Sequence, residues 1–143
     1  MPHLVILYTG QLDHAVNMTA LCRQMADAML TVNDESGKQV FPTGGTRVLA
    51  YPAPHYAVAD GGTAGRAAGG DGDYAFVYLN LRMGRGRSEA TQKLAGETLL
   101  KVVKAFFGPL MEEKHMGVTL QIDVGQEVFD AKHSSLHPLF NKG

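Results

Sequence analysis

Apolar and polar positions along the chain change period several times. Residues 3–8, His-Leu-Val-Ile-Leu-Tyr, form a short apolar and β-branched run stopped by Thr9 and Gly10. That is the pattern of a buried strand beginning almost at the first residue. From Asp13 to Val32 the apolar residues Val16, Leu21, Cys22, Met25, Met29 and Val32 recur at helical spacing, which predicts a first helix. Asn33 to Gly37 breaks it. A second strand follows at Thr46 to Tyr51, ended by Pro52 and Pro54. Residues 60–72 carry so much glycine that a loop without regular structure is expected. A strong strand runs from Asp73 to Met83. After the turn Gly84-Arg85-Gly86, Ser88 is placed to cap a helix whose apolar stripe includes Leu94, Leu99, Val103, Phe107 and Met111. Gly108-Pro109 is expected to kink this helix or end it early. Val118, Leu120, Ile122 and Val124 alternate, as in a half-buried strand, and Phe129, Leu136 and Phe140 are expected to anchor the tail.

The order strand, helix, strand, loop, strand, helix, strand describes two β-α-β units. The predicted class is α+β, one sheet with both helices on one face. The other face of so apolar a sheet favours an oligomer. At 143 residues the chain is expected to be a single domain, 1–143, with the glycine-rich loop at 60–72.

Thirteen basic and fourteen acidic residues leave a formal charge of -1, which gives no general field for nucleic acid. Any cationic site must be local. No stretch reaches the length of a membrane span, and nothing at the start reads as a signal peptide, so the cytoplasm is expected. Cys22 is the single cysteine and lies in an apolar helical pattern, as a core residue does. The six histidines show no metal-site spacing, and the pair His133 and His137 precedes a proline in a polar tail. Neither a metal nor a cofactor is expected.

Two features carry candidate chemistry. Pro2 lies behind an initiator methionine, and once Met1 is removed its nitrogen is a secondary amine. A free α-amino group titrates at about 7.7–8.0, and burial or a nearby cation moves it toward neutrality, where it serves as a base. While Met1 is attached the same nitrogen is an amide without a basic lone pair. Arg85 and Arg87 lie in Met-Gly-Arg-Gly-Arg-Ser, where a strand turns into a helix, a geometry that gathers small anions. Glu89 occupies the place of a third glycine, which argues against a dinucleotide site. Arg47, at the start of the second strand, either points to solvent or reaches a site.

Pro2-His3-Leu4-Val5-Ile6, Phe41-Pro42 ahead of Arg47, Asp73-Tyr74-Ala75-Phe76-Val77 and Gly84-Arg85-Gly86-Arg87-Ser88, in that order, resemble the 5-carboxymethyl-2-hydroxymuconate isomerase family of the tautomerase superfamily. The resemblance implies a homotrimer without cofactor that ketonises a small anionic dienol, a 2-hydroxymuconate-type di- or tricarboxylate. It implies Pro2 as proton shuttle, with Arg87 and Arg47 binding carboxylates and stabilising enolate charge; Arg85 is a substrate-binding candidate from the turn alone, and whether it joins Arg87 is left open. The chain departs from the family pattern at Leu7, where a glutamate is implied, and at Leu49, where a second arginine is implied. The alternatives are a related tautomerase with another substrate, or a trimeric carboxylate-binding protein without turnover.

Overall fold

The computed structural model describes residues 2–140. Seven regular elements follow one another: β1 (His3–Thr9), α1 (Met18–Leu30), β2 (Arg47–Ala53), α2 (Thr63–Ala67), β3 (Ala75–Met83), α3 (Glu89–Glu113) and β4 (Met116–Val124). The four strands make one sheet in the order β2-β1-β3-β4. Each β-α-β unit pairs its own strands in parallel, β1 with β2 and β3 with β4. The two units meet through the antiparallel pair β1–β3. This is the predicted α+β architecture.

Period-2 alternation decides which side of the sheet is covered. Leu4, Ile6 and Tyr8 of β1 and Ala75, Val77, Leu79, Leu81 and Met83 of β3 are buried. They pack with Leu21, Met25 and Met29 of α1 and with Leu99, Val103 and Phe107 of α3 in one core cluster. Both long helices therefore lie on the same face. Neither long helix covers the opposite face, which leaves Leu7, Leu49, Tyr51 and Phe76 exposed, a row of large apolar groups across three strands.

Phe107 is fully buried where α3 meets the sheet. Phe107→Ala is expected to lower the unfolding free energy by about 3–5 kcal/mol, through lost transfer energy and an unfilled cavity. Denaturant titration at equal protein concentration checks it, and a change under about 1 kcal/mol would mean the site collapses freely.

Five expectations need correction. The first helix does not begin at Asp13. Gly10–His14 is a 3-10 turn, and α1 starts only after Asn17, whose side chain accepts the Ala20 N–H at 3.1 Å. Pro52 does not end β2 but lies inside it, tolerated because β2 is an edge strand and the missing N–H costs no ladder bond on its outer side. The segment 60–72 is not without regular structure. Asp60 accepts the N–H groups of Gly62 and Ala64, starting the short α2, and the Tyr74 hydroxyl accepts the Gly65 N–H at 2.8 Å. A Cβ on Gly65 would come within 2.6 Å of the Tyr74 ring, so glycine there permits close approach rather than flexibility. Pro109 does not end α3, which runs on to Glu113, since the proline is exposed and Leu110 still packs on the core. Phe129 is not an anchor but 85% exposed, whereas Leu136 and Phe140 each half-cover a depression beside α1.

Candidate active site

Pro2 is buried at the start of the central strand β1. Because His3 pairs with Arg82, the residue before it falls at the end of β3, near Met83. From Met83 the chain turns through Gly86, whose φ of 101° only glycine adopts without strain, and enters α3. Ser88 caps that helix by accepting the Thr91 N–H. The turn thereby brings Arg85 and Arg87 to the cavity that Pro2 lines. Phe41 and Pro42, from the loop between α1 and β2, form another side of this partly open cavity, whose volume is about 300 Å³.

Arg87 is held from behind. Its Nη2 donates to the Val40 carbonyl at 3.0 Å, and its Nη1 lies 3.8 Å from the Asp34 carboxylate. Asp34 is itself fixed, accepting from the Ser36 hydroxyl at 2.7 Å and from the N–H groups of Ser36 and Lys38. These donors, the Ser36 hydroxyl foremost, hold its carboxyl below the ordinary aspartate range, so it stays an anion beside Arg87. Its neighbour Glu35 accepts from the hydroxyls of Thr91 and Ser88, which lower its pKa in turn and tie the loop after α1 to the first turn of α3. Arg85 is exposed at the cavity mouth.

Arg47 is not in this cavity. It lies on the edge strand β2, exposed, and lines a separate depression with Cys22, Leu136 and Phe140. Its register partner His3 has a pKa lowered by burial first and then by the charges of Arg47 and Arg82. Leu7 and Leu49 alternate onto the face away from α1 and α3, and neither lines the cavity around Pro2. Cys22 packs partly against the core, and burial pushes its thiol pKa up, which suits an unreactive residue. Among the described residues no group of three or more His, Cys, Asp and Glu side chains could hold a metal.

The lining residues from the C-terminal tail, Lys132 and His137, were absent from the sequence reading of this site. They lie some fifty residues from the arginine turn in a polar stretch without periodicity, so no pattern connected them to it.

The decisive observation is that the family model for 5-carboxymethyl-2-hydroxymuconate isomerase matches residues 2–140. The chain belongs to the 5-carboxymethyl-2-hydroxymuconate isomerase family. A crystal structure of a 5-carboxymethyl-2-hydroxymuconate delta-isomerase is 66% identical, with TM-score 0.96 over 100% of this chain and 95% of that one. Another isomerase of this family, from Deinococcus radiodurans R1, is 27% identical with TM-score 0.79, over 99% of this chain and 95% of that one. The Escherichia coli 5-carboxymethyl-2-hydroxymuconate Delta-isomerase is 24% identical over 140 residues, 98% of this chain and 99% of the relative.

Proposed function

We propose that the protein is an isomerase that ketonises 5-carboxymethyl-2-hydroxymuconate or a close 2-hydroxymuconate, with the amino group of Pro2 as the acid/base. The observation that carries this reading is the common cavity of Pro2, Arg85 and Arg87. In the reaction the Pro2 nitrogen takes the proton of the enol hydroxyl. The electron pair moves into the diene as the carbonyl forms, and the protonated Pro2 returns a proton to carbon. Arg87, already oriented by Val40 and Asp34, faces the carboxylate and the developing enolate oxygen. Burial of the amine favours its neutral form, and adjacent guanidinium charge acts in the same direction.

The assembly belongs to the same reading. We take the active form to be a homotrimer, because Leu7, Leu49, Tyr51 and Phe76 leave an apolar sheet face that a neighbouring copy would cover. Arg47 would then reach a site across the protomer contact. No helix among the described residues is long and apolar enough to cross a membrane. A reducing compartment such as the cytoplasm suits the lone thiol.

The test is ultraviolet-monitored ketonisation of 5-carboxymethyl-2-hydroxymuconate by protein whose mass shows that Met1 is gone. Rapid loss of the dienol absorbance is expected, while protein retaining Met1 should show only the buffer rate. Equal rates from the two samples would exclude the Pro2 amine as the base.

A further inference from the structure

The C-terminal tail puts a third cation at the Pro2 cavity. Lys132 lines it together with Arg85 and Arg87, although it arrives from a segment beyond the last strand. The tail is seated there by specific contacts. Ser134 Oγ accepts the N–H groups of Leu136 and His137 at 3.0 and 3.1 Å, forming a turn. His137 then packs on Gly44 so closely that a Cβ at position 44 would lie 3.0 Å from the His137 Cα. Two residues before that turn, Lys132 bonds Asp130 at 2.7 Å. Both members of the pair are more than 40% exposed, so the contact is a weak one that a competing carboxylate can replace.

We propose that Lys132 is a specificity-determining residue that binds the third carboxylate of a tricarboxylate ligand, a statement resting on the isomerase reading above. A muconate frame has two carboxylates, one at each end, and the carboxymethyl branch adds a third. Arg87 is a fixed fork suited to the end where charge develops, whereas a lysine is a point charge on a flexible stem that follows a mobile branch. The exchange of Asp130 for the ligand carboxylate keeps Lys132 paired in both states. Dicarboxylates without the branch leave Lys132 on Asp130 and gain nothing from it.

The experiment measures binding by calorimetry, using carboxymethylmuconate and muconate as probes. Neither carries the enol, so turnover does not enter. The wild-type protein is expected to bind the tricarboxylate about tenfold tighter. Lys132→Ala should remove that preference while leaving muconate affinity within about twofold, and Lys132→Arg should keep most of it. No preference in the wild type, a preference that survives Lys132→Ala, or equal losses for both probes would overturn the proposal. The ketonisation assay on wild-type protein stands apart from this result. A Lys132-dependent preference without ketonisation would sink the isomerase reading and leave the carboxylate subsite, and ketonisation without the preference would do the reverse.

Discussion

Pro2→Ala is expected to lower kcat by at least about 10²-fold, within the range a positioned acid/base group contributes, and to change KM by no more than about twofold. The substitution keeps an α-amino group, so what it removes is placement. In proline the nitrogen belongs to a ring, and the ring is buried at the start of the central strand. The lone pair therefore has one direction relative to β1. The primary amine of alanine rotates, is better hydrated and is less often aligned with the enol proton. Mass spectrometry must show that both proteins have lost Met1, and melting temperatures must agree. A variant with wild-type kcat would remove proton transfer by Pro2 from the mechanism.

Arg87→Ala should damage both parameters, with kcat falling by about 10²–10³-fold and KM rising. The size follows from orientation. The guanidinium is held by the Val40 carbonyl at 3.0 Å and by an Asp34 anion that its own donors keep ionised. A cation fixed before substrate arrives needs no reorganisation when charge develops. Lysine is not an adequate replacement, because one ammonium cannot keep the carbonyl contact and present a planar fork to a carboxylate together. The variant should still fold, since Glu35 keeps the loop after α1 bonded to Ser88 and Thr91. If kcat stayed within twofold of wild type while the melting temperature fell, Arg87 would be a brace for that loop and no part of the chemistry.

The strands were legible as short apolar runs in β1 and β3 and as alternation in β4, and the structure resolves those runs into a covered and an open face. Leu4, Ile6 and Tyr8, then Val77, Leu79 and Leu81, form the covered face in the structure. The arginine turn was legible because Gly86 and Ser88 carry local signals for a left-handed residue and a helix cap. Other features depend on contacts distant in sequence. Asp60 and Tyr74 organise the glycine-rich segment through hydrogen bonds, which periodicity does not register. Pro109 stays inside α3 because packing of Leu110 outweighs the lost backbone bond. Arg47 shares a sequence motif with the site residues, yet the fold places it on the sheet edge, in another depression. The tail was opaque for the opposite reason. Lys132 has no patterned neighbours, and contacts distant in sequence, among them the seat of His137 on Gly44, bring it to the cavity.

The antiparallel junction of β1 and β3 relates the two β-α-β units by a local twofold axis. The start of β3 is thus the counterpart of the start of β1. On the mechanism proposed above the two strand starts differ in chemistry, since the backbone nitrogens just ahead of β3 are internal amides. At that second end the folded glycine segment sits against Tyr74 and His115. The frame is alike in its strands, and on that mechanism the direction of the polypeptide selects which half reacts.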